Sequence, residues 1–228
     1  MTRVAIIAAL PAELRPLVRG WEHESRRGVK LWRRRQGESV WLAACAGIGA
    51  EAARRALAEV EAEGWVSAIY SVGWAGSLQP WLGAGRVYGV AGVIDARSGE
   101  RFAAAGDSGA CWLVTSARVA DQADKRRLAA IPGAGLVDME AAPLARRAAE
   151  LGVPFHGIKG VSDGPADLLP DFNVFIAADG RFASLRFGLF AALRPWHWGA
   201  LLRLGINGRR AARGFPAALG RTWEEPDA

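Results

Sequence analysis

The chain has 228 residues, 51% of them apolar and 23% charged, with a formal net charge of +6. That is enough for one well-filled domain, too little for two ordinary enzyme domains, and its composition excludes a disordered or fibrous protein. No apolar run approaches the roughly 20 residues needed to cross a bilayer. Met1-Thr2-Arg3 passes straight into an apolar run without a basic leader, which predicts a cytosolic protein. The positive charge comes almost wholly from arginine and suits nucleic acid, an anionic membrane surface or an arginine-rich genome. Without zinc-finger spacing or an aromatic-and-basic sheet motif, no nucleic-acid partner is expected.

Strands are predicted near 3–9, 29–35, 39–45, 66–73, 86–94, 112–116, 134–139 and 154–161, and helices near 12–19, 49–63, 121–130 and 140–151. The first strand breaks at Leu10-Pro11-Ala12-Glu13, which puts Glu13 at a strand's carboxyl end. Arg33-Arg34-Arg35 lies in a hairpin turning at Gln36-Gly37-Glu38 and reads as a solvated edge. Gly47-Ile48-Gly49 precedes a long helix, so free backbone N–H groups there can hold water or an anion. Gly135 to Met139 reads as a strand and Glu140 opens the following helix. The last strand ends at Ser162-Asp163-Gly164-Pro165, in the position just outside a strand's carboxyl end where α/β proteins take ligands. Hairpins early and interleaved strands and helices late predict a three-layer α/β/α fold with a mixed central sheet. Cys45 and Cys111 read as small buried hydrophobes, and His23, His156 and His197 have no metal-ligand spacing, so neither metal nor cofactor is expected.

Four stations occur in order: Ile6-Ile7-Ala8-Ala9-Leu10-Pro11-Ala12-Glu13, Ala46-Gly47-Ile48-Gly49, Ser71-Val72-Gly73-Trp74-Ala75-Gly76-Ser77-Leu78, and Met139-Glu140-Ala141 with Ser162-Asp163. Over residues 3 to 170 the chain thereby resembles the nucleoside phosphorylase/nucleosidase superfamily and, within it, the methylthioadenosine/S-adenosylhomocysteine nucleosidases. The resemblance implies the nucleoside phosphorylase-like fold, cleavage of a purine N-glycosidic bond, and a homodimer. It makes Asp163 the acid that protonates the departing base, with Ser162 orienting it, and Glu13 the residue that activates water. Such an acid must hold its proton near neutrality, which burial can achieve. Glu140 becomes the acceptor for a ribose hydroxyl, with Met139 against the sugar. Gly47 and Gly49 lie by the nucleophile, and Gly73, Trp74, Ala75 and Gly76 beside base and ribose.

The chain also departs from the nucleosidase pattern. Ala46 replaces a serine, Trp74 replaces a small residue, and Leu113-Val114-Thr115-Ser116-Ala117-Arg118-Val119 replaces the Ser-Gly-Asp stretch and its base-stacking aromatic. The Gly-Asp-Pro and arginine motif of the phosphorylases has no match, which favours water as nucleophile. After Asp171 the composition turns to arginine, leucine, phenylalanine and tryptophan, dividing the chain into a catalytic core (1–172) and a basic, Trp-rich helical extension (173–228). The extension reads equally as interfacial helices making peripheral membrane contact and as helices packed on the sheet with arginines outward. With Asp179-Gly180-Arg181, these features resemble the hopanoid-associated branch, which implies a lipid-linked substrate such as adenosylhopane. A phosphate-using purine nucleoside phosphorylase and a non-catalytic nucleoside-binding member remain as alternatives.

Overall fold

The structure, a computed structural model, describes residues 2–106 and 109–222, with side chains as far as Gly220; the end of the basic tail from Trp223 lies outside them. One sheet runs in the order β2 (Glu22–Arg26), β3 (Val29–Gln36), β4 (Ser39–Cys45), β1 (Thr2–Ala8), β5 (Ala68–Ser77), β10 (Ala134–Asp138), β9 (Trp112–Thr115), β7 (Gly92–Asp95) and β8 (Arg101–Ala103). In addition, β11 (Phe155–Asp163) pairs with β5, and β6 (Val87–Gly89) with β11. The central strands β4, β1, β5 and β11 are mutually parallel, while β3, β10 and β6 run against their central neighbours, so the sheet is mixed.

Both faces of this sheet are covered, which explains why β1 is a continuous apolar run rather than an alternating one. Ala5 and Ile7 face α2 (Ala50–Glu61) and α4 (Ala141–Leu151), whose alanine-rich stripes allow close approach. Val4, Ile6 and Ala8 face α1 (Pro11–Leu14), the end of α6 (Trp198–Ala212) and α7 (Phe215–Thr222). A smaller cluster joins Val114 and Val137 to Leu128 of α3 (Gln122–Ala129).

The register of β5 generates the site. β1 pairs with its first half, Ala68 to Ser71, in parallel, and β10 pairs with Gly76 and Ser77 in antiparallel sense. At Gly76, β10 and β11 take opposite sides of β5. The carboxyl ends of β1 and β10 therefore approach one another across residues 72–75, and whatever follows each strand is delivered into one gap.

Several boundaries differ from the sequence expectation. The strand expected over 86–94 is two strands, because β6 joins β11 whereas β7 joins β9 and β8. β2 and β8 were not anticipated: their residues are mostly exposed, and pairing rather than apolar alternation makes them strands. The helix expected over 12–19 is a single turn. β5 and β11 run past their expected ends to Ser77 and Asp163, so Asp163 closes a strand rather than occupying a turn.

The C-terminal helices lie directly on β11, where a Cβ added at Gly160 would sit 2.7 Å from the Ala211 side chain and 3.1 Å from the Phe215 ring. Gly160→Ala is therefore expected to cost about 1–3 kcal/mol by overpacking. Urea unfolding checks this, and limited proteolysis should show earlier cutting within residues 198–222 than in the wild type.

Candidate active site

Glu13 reaches the gap because Pro11 starts a helical turn directly after β1. Its carboxylate accepts from the Leu10 N–H and the Trp74 N–H, each at 2.7 Å. Gly73 makes the approach possible, since a Cβ there would lie 2.7 Å from the Glu13 Oε1. Desolvation pushes the pKa of Glu13 above its ordinary value, against these backbone donors and the charge of Lys159.

Glu140 follows β10 and opens α4. It accepts from the Gly49 N–H at 2.7 Å and from the Met139 N–H at 3.2 Å. Burial, followed by repulsion from Asp138, pushes its pKa up to about 8. Behind it, Asp138 pairs at 2.9 Å with Lys159, which also donates to Ser71 Oγ at 2.9 Å. Thr115 Oγ1 donates to the other Asp138 oxygen at 2.8 Å. Asp138 and Lys159 are both buried.

Asp163 enters from β11, where a register shift between Val161 and Asp163 re-aims the last residues. Ser162 Oγ donates to its Oδ1 at 2.5 Å. Lys125 of α3, only 3% exposed, donates to its Oδ2 and, at 2.6 Å, to the Gly164 carbonyl. The sequence reading missed Lys125, since Asp124-Lys125-Arg126-Arg127 resembles a solvated helix face. It also gave Lys159 no role. One signal was available: Lys30, Lys125 and Lys159 are the only lysines among 29 lysines and arginines.

Together these groups floor a cavity of about 740 Å³. Glu13, Met139, Glu140, Ser162 and Asp163 line it, as do Trp74, Ala75 and Gly76. Its outer part is mainly apolar, with Arg15, Arg118, Arg209 and Arg213 also among its lining residues. Phe172, Ile176 and Phe182 come from the segment after β11, Phe187 from α5 (Ser184–Ala192), and Leu201 and Leu204 from α6. Trp74 both walls the cavity and ties α6 to the sheet, its indole N–H donating to the Gly208 carbonyl at 3.0 Å.

The glycine loop departs from expectation. Gly47 N–H is taken by the Ala9 carbonyl at 3.1 Å, Ile48 N–H by the Gly180 carbonyl at 2.8 Å, and Gly49 N–H by Glu140. The three N–H groups expected to be free for water or an anion are thus occupied. Gly47 (φ 120°) is needed for a different contact, because a Cβ there would lie 2.5 Å from the Gly180 carbonyl oxygen. Gly47, Gly49 and Gly73 shape the floor from behind without lining it. The backbone of Val119 is held on both sides by Asn173, at 2.8 and 3.1 Å. His156 stacks on Tyr70 with ring centroids 4.4 Å apart, away from the carboxylates, and burial lowers its pKa. Cys45 and Cys111 are buried and unpaired in disulfides, and burial pushes their thiols up to about 12 and about 11.

The sequence profile of the phosphorylase superfamily matches residues 3–110 and 108–192, and the chain belongs to that superfamily. Comparison with curated protein sequences gives no match. Among solved structures, the 5'-methylthioadenosine/S-adenosylhomocysteine nucleosidase of Helicobacter pylori, complexed with a substituted pyrrolidine, aligns with a TM-score of 0.69 at 16% identity, over 96% of this chain and 98% of that one. Futalosine hydrolase of the same organism aligns with a TM-score of 0.69 at 14% identity over 96% and 98%. The S-adenosylhomocysteine nucleosidase of Streptococcus pyogenes gives 0.63 at 18% over 90% and 97%. At these identities the likeness is one of fold.

The raised pKa of Glu140 has a consequence for stability. Its proton is held more tightly in the folded chain than in the unfolded one, so its contribution is complete below pH 4.5 and is lost as pH rises toward about 8. Glu140→Gln removes this loss. Relative to wild type, the variant should gain stability steadily from pH 4.5 to pH 8, measured by urea unfolding at fixed ionic strength; a pH-independent difference would contradict the assignment.

Proposed function

We propose that the protein is a nucleosidase that uses water to cleave the N-glycosidic bond of an adenine nucleoside bearing a bulky apolar 5' substituent. The observation that carries this reading is the convergence of Glu13, Glu140 and Asp163 on the floor of one cavity whose outer part is mainly apolar. Cleaving such a bond builds positive charge on the ribose and negative charge on the departing base. The floor contains four buried carboxyl groups, Glu13, Asp138, Glu140 and Asp163, of which Asp138 and Asp163 are paired with buried lysines, and a carboxylate facing the ribose stabilises the developing ribosyl cation.

The residues divide the work by position. Glu13, with a raised pKa and two fixed backbone donors, is a base able to take a proton from water. Glu140 accepts a hydrogen bond from a ribose hydroxyl, and that bond strengthens as the ring becomes cationic. Asp163, oriented by Ser162, faces the departing base. Water is favoured over phosphate because the N–H groups of the glycine loop, which could otherwise hold an anion, are already paired.

The lipid-linked reading, with adenosylhopane as the case implied by the sequence resemblance, draws support from the outer part of the molecule. Helix α5 buries none of its residues, and Leu185, Leu189 and Leu193 line one exposed face at helical spacing. Trp196, Trp198, Leu202 and Ile206 continue the exposed apolar surface, and arginines such as Arg186, Arg194 and Arg203 are interleaved with it. The same two helices supply Phe187, Leu201 and Leu204 to the cavity, so a substituent leaving the cavity would meet this surface. No helix among the described residues is long and apolar enough to cross a membrane. Such a surface suits peripheral contact with an anionic bilayer.

Two experiments test these readings. Purified protein should release adenine from 5'-alkylthio adenosines at a rate indifferent to phosphate, with longer alkyl chains favoured. Asp163→Asn and Glu13→Gln should each lose at least about 10²-fold in kcat while still folding. A ribose-1-phosphate ester formed only when phosphate is present would replace the hydrolase with a phosphorylase. For the surface, co-sedimentation with anionic vesicles should weaken but persist as salt rises, since each basic residue contributes about 1 kcal/mol and the apolar part is unscreened. Replacing Trp196 and Trp198 by Ala should abolish it. A stable dimer that ignores such vesicles at low salt would assign this face to a second copy instead.

A further inference from the structure

We propose that Lys125 and Asp163 form a single proton-supplying unit: in the empty site the proton destined for the departing base resides on Lys125, and Asp163 passes it on. The proposal rests on the nucleosidase reading and adds to it a residue whose role that reading does not require.

The geometry shows a complete relay. Lys125 Nζ donates to Asp163 Oδ2, and Ser162 Oγ donates to Oδ1 at 2.5 Å, so each carboxylate oxygen already accepts one hydrogen bond and has lone-pair capacity left for the cavity. The Gly164 carbonyl, 2.6 Å from Nζ, keeps the amine in place once one of its protons has moved. Gly76 leaves the room, since a Cβ there would lie 3.2 Å from Lys125 Cε and 3.3 Å from Asp163 Oδ2. Lys125, Ser162 and Asp163 all line the cavity. The contact of Lys125 Nζ with Asp163 Oδ2 is that of an ammonium with a carboxylate, so the pair carries its mobile proton on the lysine.

A purely structural ion pair explains this poorly. Burying two charges costs desolvation that their attraction barely repays, and apolar residues of the same volume often serve as well. The residue type is informative too. Only three of the chain's 29 lysines and arginines are lysine, and two of these three are buried beneath this cavity. A guanidinium would pair with the carboxylate at least as well but does not give up its proton, whereas an ammonium can.

The step balances. As the C1'–N9 bond breaks, its electron pair passes to the purine, whose N7 takes a proton from Asp163. Asp163 takes one in turn from Lys125, which is left as a neutral amine. Water attacks C1' and loses a proton to Glu13. Release of that proton and uptake of one by Lys125 restore the resting state.

The test compares leaving groups. Adenine must be protonated to leave, whereas 4-nitrophenolate departs from a 4-nitrophenyl riboside without a proton. Lys125→Met should lose about 10²-fold or more in kcat on a 5'-alkylthio adenosine, and at least about tenfold less than that on the nitrophenyl riboside. Lys125→Arg, which keeps charge and pairing, should be as slow as Lys125→Met on the adenosine. Should the Met variant fail to fold, Lys125→Gln, which still donates hydrogen bonds but carries no acidic proton, is read in its place. Equal losses on both substrates would make Lys125 structural, and a fully active Lys125→Arg would reduce it to positioning Asp163; either overturns the relay. A wild-type protein inert on both substrates would overturn the nucleosidase reading and the relay with it.

Discussion

Six ionisable side chains held out of water in one place, four carboxylates and two lysines, set the terms for the rest of this molecule. Charges can be buried only if their partners are rigidly placed, and the sheet provides that rigidity. Lys159 projects from β11 into Asp138 at the end of β10, Lys125 comes from α3 into Asp163 at the end of β11, and backbone N–H groups fix Glu13 and Glu140. The pairing leaves two carboxylates uncompensated. Desolvation, followed by repulsion from Asp138, raises the pKa of Glu140, and in the proposed reaction the two carboxyl groups without a lysine partner are what a developing cation would meet.

The meeting of β1 and β10 along β5 makes the cluster geometrically possible. Parallel strands alone would deliver their ends to one edge of the sheet in a row. Because β10 runs against β5, its carboxyl end faces that of β1, and two glutamates more than a hundred residues apart in sequence enter one gap. Residues without side chains are needed at the tightest points: Gly73 under Glu13, Gly76 under the Lys125–Asp163 pair, and Gly47 against Gly180.

The C-terminal helices complete the site instead of standing apart from it. Ala211, Ala212 and Phe215 are buried on the sheet, and Trp74 bonds to Gly208, so α6 is anchored by the strand that carries the site. Trp74, which replaces a small residue of the nucleosidase pattern, is a wall and an anchor together. The outward faces of α5 and α6 remain apolar and basic, whereas their inward faces shape the cavity's outer part.

The sequence by itself determined the mixed α/β architecture, the strands that carry Glu13, Glu140 and Asp163, and the superfamily, because buried strands are continuous apolar runs and the four stations occur in a specific order. It also exposed the glycine loop before α2, though not what occupies its N–H groups. The tertiary structure alone decided that Ile48 N–H binds Gly180, that Lys125 turns inward from an apparently solvated helix, and that Lys159 meets Asp138. Local sequence reports a residue's periodicity and its neighbours along the chain. The partner of a buried charge is set by strand register and helix docking, which bring together residues distant in sequence, and only the folded sheet specifies them.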